Sequence, residues 1–352
     1  MVNKTTLAVA AIVLVLIIGV SSYGVYRLYT PSEAAPGKET ITVEDGTGAQ
    51  VVINIPVERI VCLNPGLTEI ICALGCQDRI VGRDSTSTFP PSILEKPSVG
   101  EPYIPNLETL LELEPDLVVA DSMLTYNNET KGKIEAAGIP VFISDTTNPQ
   151  PDPNSNETVI DFTSNVVSKL GLILNKQDKA NEIIDYMQYY KNLVNERLEN
   201  LAPNEKPLVY YEFIDNWMTA VVPGVTQAGG VNIAANESTF APTLSPEYVA
   251  EKNPDVIIRM ISSPNHNVAE FKTMRDEILN RPGLGEVTAI KEGKVYVCDY
   301  EIRGGIRCVV GWLQWAKWIQ PDLFEDIDPA AVHAELIQQF FGVDLEGVYA
   351  YP

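Results

Sequence analysis

Two series of short apolar runs, each interleaved with helical patterns, constrain this chain more than any other feature. The first is "RIVCLNPG", "DRIVGRD", "DLVVADS" and "PVFISD", within 41–153; the second is "LVYYEF", "VNIAAN", "DVIIRMISS" and "KVYVCD", within 206–348. Continuous apolar strands separated by helices describe a parallel sheet covered on both faces, since such strands have no solvent side. The pattern predicts an α/β fold of two Rossmann-like lobes, with mostly parallel sheets and a ligand cleft between them. From 157 to 201 the chain has no proline and carries apolar residues at helical spacing, so 154–205 is expected to connect the lobes. Its second part, Gln177 to Leu201, would span roughly 37 Å as one helix, long enough to cross from lobe to lobe.

Ahead of the first lobe, "LAVAAIVLVLIIGV" runs from Leu7 to Val20 without a charge, and Thr5 to Tyr26 makes 22 uncharged residues, enough to span a membrane. No tidy small-x-small cleavage site follows, so 1–29 is expected to be an uncleaved anchor, with a cleaved signal as the alternative. "TPSEAAPGKET", 30–40, is a linker. The folded part is then extracytoplasmic, held at the outer face of the cytoplasmic membrane, or secreted or periplasmic if the segment is cleaved. The first cysteine is Cys62, which argues against a lipid-modified cysteine after the signal.

The formal charge is −22, from 47 acids and 25 bases, and it would repel a polyphosphate backbone; nucleic acid is excluded as a partner. The five cysteines form no CxxC pair, the histidines are His266 and His333 only, and no acids cluster at ligand spacing. No dedicated protein metal site is expected. The cysteines are expected to be core residues, or to include one disulfide such as Cys298 to Cys308.

One segment is written twice. "NLETLLELEPD" from Asn106 and "SPEYVAEKNPD" from Ser245 align without gaps, matching Glu108 with Glu247, Glu112 with Glu251, Pro115 with Pro254 and Asp116 with Asp255, and each runs into an apolar strand. Helix capping explains much of this, because Asn and Ser are good N-caps and a first-turn acid meets the positive helix end. Capping does not explain why the same exposed acid recurs once per lobe; two equivalent acids on two equivalent lobes make a two-point docking surface for paired bases.

With "RIVCLNPGLTEIICALG", "AGGVNIAA", the two copies of this segment and "GWLQWAKWIQPDLFEDIDP", the chain from about 40 to 350 resembles the class III solute-binding proteins of ABC importers. These carry iron-siderophore complexes, haem or cobalamin to a membrane permease. The resemblance implies two lobes joined by one long helix and small lobe movements. It also implies a permease dimer with its ATPase as partner, gripped through Glu108 and Glu247. The metal would travel inside the ligand, with no cofactor of the protein's own, and the protein would be a monomer.

Ligands of such lobes sit at the carboxyl ends of strands. The candidate ligand-binding residues are Asn64, Arg83, Tyr103 and Tyr126 in the first lobe and Trp217, Tyr300, Arg303 and Arg307 in the second. Arg303 and Arg307, in "DYEIRGGIRC", offer guanidinium forks to carboxylate, catecholate or hydroxamate oxygens. Trp312, Trp315 and Trp318 recur at helical spacing and are expected in the core. An iron(III)-siderophore complex is the leading ligand and cobalamin the alternative, since "GRDSTSTFPPS" lacks the stacking tyrosine that cobalamin binders of the family often carry. Haem ranks lower, with His266 its only candidate. GxSxG, HExxH, GxxxxGK[ST] and GxGxxG after a strand are all absent, which argues against an enzyme. The sequons at Asn128 and Asn156 are the only sign, besides the anchor, of an adhesive surface protein.

Overall fold

The computed structural model describes residues 39–146 and 157–352, apart from 238, 240 and 264. The expected anchor, the linker up to 38, the stretch 147–156 and the sequon Asn156 lie outside the described residues. No helix among the described residues is long and apolar enough to cross a membrane.

A two-stranded ribbon, β1 (Thr40–Glu44) and β2 (Gln50–Asn54), precedes the first sheet. Then come β3 (Ile60–Leu63), β4 (Ile80–Arg83), the short pair β5 (Gly100–Glu101) and β6 (Ile104–Pro105), β7 (Leu117–Ala120) and β8 (Val141–Ile143). The order β4-β3-β7-β8 is parallel throughout. The second half builds β9 (Leu208–Glu212), β10 (Val231–Asn232), β11 (Val256–Ile261), β12 (Val295–Asp299) and β13 (Ala350–Tyr351), ordered β10-β9-β11-β12-β13 with only β13 antiparallel. Every residue of β3 and β7 is buried, as strands covered on both faces must be. Counting the main strands within each half, both sheets follow the order second, first, third, fourth. The halves therefore repeat in topology, and the chain reverses direction across each sheet at the carboxyl end of β3 and of β9. β13 extends the second half past 348.

The doubled segment has a local physical account at most of its positions. Asn106 and Ser245 accept hydrogen bonds from Thr109 and Tyr248 backbone N–H groups and so cap the helices Leu107–Glu112 and Pro246–Lys252. After each helix a residue turns left-handed, Glu114 at φ 42° and Asn253 at φ 48°. Asp116 then accepts from the backbone N–H groups of Glu58 and Arg59, and Asp255 from that of Leu208. Each aspartate thus ties the start of one strand to its parallel neighbour.

The connecting segment differs from expectation. It forms two helices, Val159–Ile173 and Gln177–Leu198, packed against each other, rather than one. The break falls at Asn175, whose φ of 55° cannot continue a helix, and Thr158 with Asp161 closes a reciprocal cap on the first helix. The second helix starts at Gln177 as expected and ends at Leu198. Residues of both helices and both sheets join one continuous apolar cluster, so the halves share core.

All five cysteines are free and buried. The expected Cys298–Cys308 disulfide is not formed: Cys308 Sγ faces Thr163 Oγ1 at 3.7 Å, and burial pushes both thiols up to about 12. Trp312, Trp315 and Trp318 are buried on the helix Cys308–Ile319, as expected.

Candidate functional site

The loops that follow β3 and β12 meet. Gly305 sits at φ 57°, and a Cβ there would stand 3.3 Å from the Gly66 carbonyl oxygen, so only glycine allows this approach. Beside this contact Arg307, from the second half, pairs with Glu69 of the helix Pro65–Ala73 in the first. Its Nε donates to Glu69 Oε2 at 2.8 Å and its Nη2 donates to Oε1. Nη1 also lies 2.9 Å from Glu301 Oε2. Arg307 was expected to line the cleft; it is instead fully buried in an ion pair that clamps the halves. Burial pushes the Glu69 carboxyl up to about 7 against the pull of Arg307.

Arg303 behaves differently. Its guanidinium lies over the rings of Phe213, at 5.1 Å, and Tyr300, at 6.0 Å, with no carboxylate partner among the described residues. It borders an apolar cavity of about 100 Å³, walled by Val222, Met260, Ile302, Trp312 and Trp315. Tyr300 is half exposed beside it. The expected core tryptophans thus also serve as cavity wall, and Phe213 and Met260 were not singled out by sequence. Met260 belongs to the apolar run of β11 and Phe213 directly follows β9, but their position beneath an arginine depends on how the loops close.

The other expected residues are divided between structure and surface. Asn64 caps the helix Pro65–Ala73 by accepting from Leu67 N–H, and it donates to Asp121 at 2.9 Å, so its side chain is committed to the fold. Arg83 donates to the carbonyls of Asp84 and Ser87, which closes the 84–87 loop on itself rather than presenting a cation to the cleft. Trp217 adopts φ 66° with Arg281 stacked over its ring at 5.0 Å. Arg281 and Arg259 both grip the buried Glu212, which ends β9 and holds the loop in place. Tyr103, 40% exposed at the β5–β6 tip, and Tyr126, 86% exposed, are joined through Asn127, which donates to the Tyr103 carbonyl. They stand free as aromatic faces on the first half. Among the eight residues, the structure brings Tyr300 and Arg303 together at a cavity.

Glu108 and Glu247 are both exposed, each in the first turn of its capped helix, and neither has a side-chain partner among the described residues. Glu112 and Glu251, the other repeated acids of the doubled segment, are exposed as well.

Sequence spacing also concealed a cluster of potential ligands. Ile261 pairs with Asp299 across β11 and β12, so the loop after β11 folds beside the end of β12 and brings His266 to Asp299 and Glu301. One ligand atom from each lies within 4.8 Å of the others. Parallel pairing of the two strands, predictable from the repeat, was the available signal.

Comparison with known proteins agrees with this architecture. The periplasmic binding protein family profile matches residues 60–301. An uncharacterised ABC transporter substrate-binding lipoprotein of Bacillus subtilis is 26% identical over 296 residues, covering 81% of this chain and 87% of that protein. A cobalamin-binding protein of Halobacterium salinarum is 27% identical over 232 residues, 63% of this chain; the match spans only 59% of that protein. The crystal structure of a TroA-like periplasmic binding protein from Veillonella parvula superposes with a TM-score of 0.71 at 23% identity, covering 88% of this chain and 99% of that one.

Proposed function

The chain belongs to the periplasmic binding protein family, a family of solute-binding proteins rather than enzymes, and from that premise we propose that it captures a corrinoid outside the cytoplasm and hands it to an ABC importer. The observation that carries this reading is the apolar, aromatic character of the strand-end surfaces. Tyr103, Tyr126 and Tyr300 are exposed around the strand ends, and Arg303 lies over the rings of Phe213 and Tyr300; the cavity of about 100 Å³ beneath could take only a small substituent of the ligand. Such surfaces suit a large, mostly uncharged macrocycle, which buries apolar area and stacks on rings. A relative named as cobalamin-binding supports the same choice and moves it ahead of the iron(III)-siderophore complex favoured by sequence alone.

One observation favours that second reading: Arg303 has no carboxylate partner among the described residues, and a guanidinium placed so suits an anionic iron chelate. In either case the metal would arrive within the ligand. Glu108 and Glu247, exposed and unpartnered on equivalent helices, are proposed to dock on paired arginines of the permease dimer.

The test is equilibrium binding to the full chain in detergent of cyanocobalamin, cobinamide, ferric hydroxamate and catecholate siderophores, and haem. Tightest binding of the corrinoids is expected. Selective binding of the ferric complexes would replace the corrinoid reading, and absence of binding to all of them would overturn both.

A further inference from the structure

We propose that His266, Asp299 and Glu301 form a site for one first-row divalent transition cation, adjoining the cavity under Arg303, whose wall Asp299 shares. His266 Nε2 lies 3.9 Å from Asp299 Oδ1 and 3.5 Å from Glu301 Oε2. Metal bonds to nitrogen and oxygen of about 2.0–2.2 Å place neighbouring ligand atoms of a tetrahedral site about 3.4 Å apart. The Asp299 and Glu301 oxygens lie within 4.8 Å of each other, so an ion can enter if they draw together by up to about 1.4 Å.

The imidazole is held there by its surroundings. Its backbone is left-handed at φ 44°, its carbonyl accepts from Val348 N–H at 2.8 Å, and its ring stacks on Tyr349 at 4.2 Å. Gly347 packs against it so closely that a Cβ would stand 2.5 Å from the His266 Cβ. Held this way, Nε2 is out of contact with water and has no hydrogen-bond partner, an uncommon state for a buried polar atom. Asp299 is also fixed: it accepts from the backbone N–H groups of Ser263 and Glu301. Ligands oriented by an outer layer of contacts are what a metal site requires.

Charge points the same way. Glu69 and Glu301 share a single guanidinium, Arg307, and no arginine or lysine pairs with Asp299 among the described residues. The carboxyl groups outnumber the cation beside them, an arrangement that suits a bound divalent cation. One imidazole nitrogen with two carboxylate oxygens favours zinc, iron(II) or a similar ion over magnesium or calcium, which prefer oxygen alone. His266 and Glu301 also line an open groove of about 880 Å³ with Thr88 and Phe89 of the first half. The groove supplies an entry path and room for water in the open coordination position.

The experiment uses the full chain in detergent, stripped with a chelator and titrated with Zn²⁺ against a chromophoric competitor. One equivalent is expected to bind and to raise the melting temperature, while Mg²⁺ does neither. His266→Ala and Glu301→Gln should each weaken the zinc affinity by about tenfold or more; metal-free His266→Ala should melt close to the parent protein, and Glu301→Gln lower, since it removes a carboxylate beside the buried Arg307. Because the His266 ring is partly exposed, that variant decides the matter if Glu301→Gln fails to fold. No zinc binding by the parent protein, or an equivalent that survives in His266→Ala, overturns the proposal.

Discussion

Arg307 and Glu69 join the halves through a pair whose energy can be estimated from its surroundings. Both side chains are almost fully buried, and they share two charge-assisted hydrogen bonds. Glu69→Gln leaves the guanidinium buried without that carboxylate, and breaking such a pair costs about 3–5 kcal/mol. Glu301 Oε2, 2.9 Å from Nη1, still faces the cation, so the loss should fall near the lower end, about 3 kcal/mol. Arg307→Met removes the cation instead. The stranded carboxyl, already pushed up to about 7 by burial, can take a proton, so the cost should be smaller, about 1–3 kcal/mol, and should grow from pH 6 to pH 8. In the double variant neither charge is stranded. Urea unfolding followed by tryptophan fluorescence should therefore show a combined cost at least about 1 kcal/mol below the sum of the single costs. Additivity to within about 0.3 kcal/mol would refute the clamp as a coupled pair.

Three further outcomes follow from the same geometry. Glu108→Ala combined with Glu247→Ala should leave ligand affinity unchanged while transport in cells falls; loss of ligand binding would place these acids in the cleft instead. Arg303→Ala should weaken binding of an anionic iron chelate about tenfold or more and leave the unfolding midpoint nearly unchanged, since its guanidinium has no carboxylate to strand. His333 is buried, and burial, then the charge of Arg307, pulls its pKa from 6.5 to about 3. Below pH 6.5 the unfolded chain takes a proton that the folded chain refuses, so stability should fall by up to about 1.4 kcal/mol per pH unit down to about pH 3. Glu69 acts with opposite sign between its usual 4.5 and about 7. The difference between parent and His333→Leu unfolding curves from pH 6.5 to pH 4 isolates the histidine, and parallel curves would contradict its neutral burial.

The strands were legible because parallel sheets demand continuous apolar runs, and β3, β4, β7, β8, β9, β11 and β12 each fall within one. The break at Asn175 was not, since asparagine is tolerated in helices and only its left-handed backbone ends this one. At the strand ends, composition identified arginines without saying which were spent. Arg303 and Arg307 are separated by three residues, yet one lies over aromatic rings and the other closes an ion pair with a residue 238 positions away. That difference is set by the contact of Gly305 with Gly66, a long-range event that leaves no trace in local pattern. The His266 cluster was hidden for the same reason.

Because the halves share a topology, positions that stay alike and positions that diverge answer to different demands. The outer helices keep the same cap, the same first-turn acid, the same left-handed residue and the same strand-tying aspartate. The inner strand ends do not match. The first half places Asp84, Asp121 and Asp145 there, with burial raising the carboxyls of Asp121 and Asp145. In the second half Arg259 and Arg307 are buried on Glu212 and Glu69, Asp299 and Glu301 stand at the end of β12, and Arg303 lies over the rings of Phe213 and Tyr300. A symmetric partner can read only what repeats, so a permease dimer would meet Glu108 and Glu247 as equivalents. An asymmetric ligand at the strand ends would meet Asp121 and Asp145 on the first half and Arg303 with its aromatic rings on the second, and that contrast would orient it. Arg303→Ala should therefore affect the ligand and spare docking, whereas changing one outer acid alone should weaken docking and spare the ligand.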